Sequence, residues 1–130
     1  MVGIVLISHS SGLAAGAAEL VAQIAGAARV IPAGGTDDGR LGTSTDRIAA
    51  AITAADSGDG ILLIPDLGSS VLSALSLLAD LDPQHDGKQI RLADAPFIEG
   101  AVAAAVAASA GLDLATVAHA AEEARDARKL

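Results

Sequence analysis

The sequence predicts an open α/β fold, a mostly parallel sheet with helices on both faces. Three features predict it. Residues 2–7 and 61–64 are continuous apolar runs rich in Ile, Val and Leu, the pattern of strands buried on both sides. Each run ends in a turn, after which apolar residues resume at helical spacing. The 130 residues, 52% of them apolar, are enough for one core, so residues 1–130 read as a single domain. Such alternation implies right-handed crossovers between parallel neighbours.

Residues 2–7 form the first, central strand, which stops at Ser8-His9-Ser10-Ser11. Ser10 or Ser11 can cap a first helix carrying Leu13, Leu20, Val21 and Ile24. A second strand spans 29–33, and the glycine-rich segment from Gly34 to Gly42 after it suits neither helix nor strand. Thr43, Ser44 or Thr45 can cap the second helix, whose stripe is Ile48, Ala51, Ile52 and Ala55 and which ends at Ser57-Gly58-Asp59-Gly60. After the third strand comes Pro65-Asp66-Leu67-Gly68-Ser69-Ser70, then a third helix with Val71, Leu72, Leu75 and Leu78. Residues 82–87 read as a turn cluster and 89–93 as a short fourth strand. Two helices close the chain, one over about 98–110 and one capped by Asp113 with Leu114, Val117, Ala118 and Ala121 inward.

In open parallel sheets ligands bind beyond the carboxyl ends of the strands, where strand order reverses. His9, the 34–44 loop and the Asp66 turn all fall at such ends. Of the three histidines, His85 lies in a turn and His119 on the last helix, whereas His9 sits at the tip of the central strand. A group there is held by the core yet exposed to the crevice. Imidazole is a capable nucleophile near neutral pH when one nitrogen is unprotonated and the ring is fixed. Asp66 is the candidate to accept a hydrogen bond from the other nitrogen and fix the tautomer; its plain alternative is a helix cap. The residues leave open which nitrogen attacks. A phosphoryl group needs fixed donors, and helix starts at Ser10-Ser11 and Gly68-Ser69-Ser70 can offer backbone N–H groups and hydroxyls.

Composition removes other chemistries. There is no cysteine, so disulfides, thiolate metal sites and cysteine nucleophiles are absent and a cytoplasmic location is expected. Sixteen acidic against eight basic residues give a formal charge of -8, which disfavours nucleic acid and anionic membranes as partners. Phe97 is the only aromatic residue, leaving no platform for flavins or bases. Neither G-x-x-x-x-G-K-S/T nor G-x-G-x-x-G follows the first strand, so this chain lacks a nucleotide signature. A histidine phosphatase would carry Arg before its histidine, where Ser8 stands. Asp37 and Asp38 with His85 or Asp86 show no metal spacing, and no metal site is expected. The uncharged alanine-rich block of residues 100–112 is too short to span a bilayer.

Taken together, Ser8-His9-Ser10-Ser11, Gly34-Gly35-Thr36-Asp37 with Gly42-Thr43, Asp66-Leu67-Gly68-Ser69, and Ala95-Pro96 with Glu99-Gly100 resemble one family. It is the phosphotransferase subunit of phosphoenolpyruvate-dependent dihydroxyacetone kinase, a branch of the mannose-type enzyme IIA fold. The resemblance implies a sheet of order 2-1-3-4 and a homodimer. It also implies that His9 takes a phosphoryl group from the histidine-containing phosphocarrier protein and passes it to ADP on a separate nucleotide-binding kinase subunit. ADP, ATP and magnesium then belong to that subunit, and this chain carries no cofactor. Gly34, Gly35, Thr36 and Thr43 become loop or partner-contact residues. Longer family members continue into further carrier domains, so a separate protein is the expected donor here. Ser70 departs from the alanine often found in the family. The alternatives are a IIA component of a mannose-type sugar transporter, or a noncatalytic dimeric regulatory module in which His9 is a ligand contact.

Overall fold

The computed structural model describes residues 1–81 and 89–130. The predicted turn at 82–87, with His85 and Asp86, lies outside the described residues. Four parallel strands form one sheet in the order β2-β1-β3-β4, with β1 Gly3–Ser8, β2 Arg29–Gly34, β3 Ile61–Pro65 and β4 Ile90–Leu92. Helices α1 (Ser11–Ile24), α4 (Phe97–Ser109) and α5 (Leu114–Glu123) cover one face; α2 (Thr45–Ala55) and α3 (Gly68–Asp80) cover the other. A 3-10 turn, Ala124–Asp126, follows α5. The α/β class and the strand order both match expectation.

β1 is buried along its whole length because it has a strand on each side and helices on each face. Its side chains alternate between two cores. Ile4 and Leu6 join Leu62 and Ile64 beneath α1, α4 and α5, while Val5 and Ile7 join Ile61 and Leu63 beneath α2 and α3. Each such fully buried side chain contributes about 1.5–3 kcal/mol. The predicted stripes of α2 and α5 are buried as read, and Ser44 and Asp113 cap those helices by accepting from the amides of Arg47 and Thr116.

Two helices turn a different side inward from the one their leucines suggested. α1 buries Ala14, Ala17 and Val21 and leaves Leu13, Leu20 and Ile24 about half exposed. α3 buries Ser70 and Ala74 and leaves Leu72 and Leu75 out. Small side chains face the sheet because the backbones come close. A Cβ on Gly34 would lie 2.4 Å from the carbonyl oxygen of Ser10 and 2.8 Å from Cβ of Ala14. Glycine at that point lets the start of α1 sit against β2, which sets the position of the strand-end residues.

Strand ends also extend one residue beyond the reading. Ser8 belongs to β1, Gly34 to β2 and Pro65 to β3, whereas β4 is shorter than 89–93. Ser8 pairs with Gly34 and Ile7 with Pro65, so His9, Gly35 and Asp66 emerge at nearly one level.

Candidate active site

Three backbone bonds tie the strand-end loops together. The amide of Asp66 donates to the carbonyl of Ile7 at 2.9 Å, that of Gly35 to Ser8 at 3.1 Å, and that of Gly42 to His9 at 2.8 Å. Gly35 takes a φ of +74°, open to glycine, and packs 3.3 Å from the amide of Ser11 where a Cβ would stand. The loop after β2 is thereby stitched to the strand carrying His9.

The His9 ring is held on both nitrogens. Nδ1 is 3.0 Å from Oδ1 of Asp66, and Nε2 is hydrogen-bonded to the hydroxyl of Ser69. A carboxylate only accepts, so Nδ1 carries the proton and Nε2 the lone pair, into which Ser69 donates. The His9 side chain is 26% exposed and that of Asp66 only 7%. The imidazole reaches the crevice while its partner stays behind it.

Asp66 accepts four bonds besides that of the ring. Oδ2 takes the Ser8 hydroxyl at 2.7 Å and the His9 amide at 3.2 Å; Oδ1 takes the Leu67 amide at 2.6 Å and the Ser70 hydroxyl at 2.7 Å. Burial pushes this carboxyl up, but the bonds from Ser70, Ser8, His9 and Leu67 outweigh it and hold it at about 2, below the ordinary 3.8. Asp66 is therefore ionised beside the ring. The N-cap of α3 is Leu67, whose side chain makes no capping bond; Asp66, one residue before it, joins the imidazole to the Leu67 amide and the Ser70 hydroxyl at that helix start.

The remaining candidates divide. Ser69 faces Nε2, at the uncapped start of α3 where amides and helix dipole favour an anion. Ser10 uses its hydroxyl to cap α1 by accepting from the Leu13 amide. Ser11 and Gly68 are exposed first residues of their helices. Ser70, read as a phosphate ligand, is fully buried with its hydroxyl on Asp66 and 3.3 Å from Nδ1, on the far side of the ring from Nε2. Thr36 is used within its loop, accepting from the Arg40 amide at 3.1 Å, and Thr43 joins Ser73 on α3 at 2.5 Å. Gly34 and Gly35 allow the backbone of Ser10 and Ser11 to come close to the end of β2.

Ser8 escaped the sequence reading. Its signal was a hydroxyl at the last position of a doubly buried strand, where apolar residues otherwise run without a break. His119 is exposed and pairs with Glu123 at 2.8 Å, in keeping with a surface role. Among the described residues no three His, Asp or Glu side chains gather as a metal site, and no helix is long and apolar enough to cross a membrane.

Comparison with known proteins agrees with this architecture. A solved structure, the crystal structure of unknown function protein EF1359, superposes with a TM-score of 0.82 at 35% identity, over 99% of this chain and 96% of that one. A Listeria innocua protein, PEP-dependent dihydroxyacetone kinase 2, phosphoryl donor subunit DhaM, is 40% identical over 107 residues, 82% of this chain and 85% of its own. The Escherichia coli K12 phosphoryl donor subunit DhaM is 36% identical over 133 residues, covering 99% of this chain but 28% of the relative. A Providencia stuartii DhaM is 35% identical, and again this chain spans 28% of its length. The model of the EIIA-man family, described as PTS system fructose IIA component, matches residues 3–118. That stretch takes in the His9 tip, the 34–44 loop and the Asp66 turn, and the chain accordingly belongs to the EIIA-man family.

Proposed function

We propose that this chain is a phosphohistidine carrier, the phosphoryl donor subunit of a dihydroxyacetone kinase system, with His9 as the residue that bears the phosphoryl group. The observation that carries the proposal is the division of labour on the ring. Asp66 occupies Nδ1, and Nε2 alone presents a lone pair to the crevice at an uncapped helix start. The likeness to subunits named phosphoryl donors supports the same assignment.

In the accepting step the Nε2 lone pair attacks phosphorus on the phosphohistidine of the phosphocarrier protein. The donor N–P bond breaks and its electron pair returns to the donor ring. Nδ1 keeps its proton, and Asp66 stabilises the positive charge that develops on the imidazole. Ser69 turns its hydroxyl from the lone pair to a phosphoryl oxygen, joined by the first amides of α3. In the delivering step a terminal oxygen of ADP, held with magnesium on a separate kinase subunit, attacks the phosphorus. The Nε2–P bond breaks, its pair returns to Nε2, and ATP forms on that subunit. This chain binds neither nucleotide nor sugar itself, and it acts as a homodimer.

Incubation with phosphoenolpyruvate, enzyme I and the phosphocarrier protein tests the reading. Intact mass should rise by one phosphoryl group that is stable in base and lost in acid, and His9→Ala should show no gain while melting like the parent. Unaltered uptake in His9→Ala refutes the assignment. Delivery to the nucleotide-binding kinase subunit rather than to a sugar-transporter IIB domain identifies the acceptor.

A further inference from the structure

Among the described residues the buried polar residues are Ser8 and Ser70, each 0% exposed. They come from different elements, the end of β1 and the first turn of α3, yet both hydroxyls end on the same carboxylate. Ser8 reaches Oδ2 of Asp66 and Ser70 reaches Oδ1, both at 2.7 Å. Burying a hydroxyl costs stability unless it is bonded, and an alanine would fill either place without that cost. Two such residues aimed at one side chain point to a purpose in that side chain.

Five donors thus share Asp66: the Ser8 and Ser70 hydroxyls, the amides of His9 and Leu67, and Nδ1 of His9. Each donor draws off negative charge, so the ring N–H meets a weaker acceptor than a bare carboxylate. Charged side chains on the bordering segments are engaged elsewhere. Asp37 pairs with Arg47, Asp38 with Arg40, and Asp94 at the end of β4 with Arg125. Among the described residues Asp66 is the ionised group paired with the ring.

We propose that Ser8 and Ser70 are positioning residues that withhold part of the Asp66 charge from the His9 ring, so that a phosphoryl group on Nε2 is passed on rather than retained. The proposal rests on the carrier reading. A phosphorylated ring with a proton on Nδ1 is more acidic than the free ring and gains more from a strong acceptor; weakening that acceptor raises the tendency to give the group up. The bonds made and broken are those already described, and the serines change only the relative stability of the two sides.

The test uses Ser8→Ala, Ser70→Ala, the double variant and Ser70→Thr, which keeps the hydroxyl. The first readout is carboxyl-carbon NMR titration of Asp66 in the unphosphorylated chain, which needs no phosphoryl donor. Its midpoint should rise from about 2 in each alanine variant and further in the double, with Ser70→Thr close to the parent. The second is the equilibrium share of phosphoryl group between His9 and the phosphocarrier protein. It should move toward His9 by about threefold per serine lost, with slower delivery to the kinase subunit. An unmoved Asp66 titration overturns the proposal, and so does a moved titration with an unchanged sharing equilibrium. If the parent chain takes up no phosphoryl group, the carrier reading and the transfer half of this proposal fall together, and the titration still decides whether the serines set the charge on Asp66.

Discussion

Asp66 Oδ1 lies 3.0 Å from His9 Nδ1 although the two residues are 57 positions apart in the chain. The contact exists because β1 and β3 are parallel neighbours with Ile7 opposite Pro65; β1 runs one residue further, to Ser8, so His9 and Asp66 leave their strand ends within one residue of each other at the same edge of the sheet. The His9–Asp66 contact is thus a by-product of strand order. The rest of the site is built on that pairing.

Asp66→Asn should separate its two duties. Either orientation of the amide sets an NH2 group against donors, the Nδ1, Leu67 and Ser70 groups on one side or Ser8 and the His9 amide on the other. The ring loses its fixed tautomer, and single-turnover phosphoryl uptake should fall about a hundredfold or more. Each buried donor left without a partner costs about 1–3 kcal/mol, which urea unfolding would register. Parental rates in this variant would remove Asp66 from the mechanism.

Ser69→Ala leaves Nε2 free in the resting chain but removes a donor from the phosphoryl oxygens. Because a charge-assisted bond contributes about 1.5–3 kcal/mol, the lifetime of the phosphorylated form should shorten by roughly tenfold or more while the melting temperature stays put. Phosphate release followed over time measures it.

Acid should weaken the fold through Asp66 in a definite window. Its carboxyl is held at about 2 in the folded chain against an ordinary 3.8, so the unfolded chain takes up the proton first as pH falls. The stability it contributes is complete above about 3.8 and is lost as pH drops through about 2. Urea midpoints taken across that range for the parent and for Asp66→Asn should converge toward the acid end. Parallel curves would show that Asp66 does not titrate this way.

Gly34→Ala drives a methyl group against the Ser10 carbonyl, 2.4 Å away, and against Ala14. The start of α1 must shift from β2, at a cost of about 1–3 kcal/mol, and it carries the segment after His9 with it. Chemical denaturation should detect the loss, and phosphoryl uptake should fall more than the residual folded fraction explains. A variant as stable as the parent would mean that α1 yields freely.

α4 buries Gly100, Ala101, Ala104, Ala105, Ala107 and Ala108 within its own chain, which accounts for most of its apolar length as ordinary core. Val102 is half-buried and Val106 is 51% exposed, so the outward side of α4 is the part open to a second copy. With the homodimer proposed above, Val106→Glu should halve the mass seen by light scattering without changing the melt at low concentration. An unchanged mass would move the subunit contact away from α4.

Much of the fold can be read directly from residue order. Doubly buried strands announce themselves as Ile, Val and Leu without alternation, and caps such as Ser44 and Asp113 stand where a polar residue precedes an apolar stripe. His9 was legible as a candidate because a polar cluster interrupts such a strand at its tip. α1 and α3 were harder. Leucine spacing marks a face, but alanine and serine were the residues that fitted the close helix–sheet approach there; Leu13, Leu20, Leu72 and Leu75 were left outside, while Leu78 packs at the edge of the core.

Sequence by itself determined the strand and helix alternation, the choice of His9 and its association with Asp66, because these follow from local apolar pattern and from the rule that strand ends meet. Tertiary structure alone decided which hydroxyl serves which atom. Ser69 and Ser70 are adjacent in the chain, yet about 100° of helical rotation sends one to Nε2 and buries the other against Asp66. That angle depends on how α3 docks against the sheet, and the docking is set by packing among residues far apart in sequence.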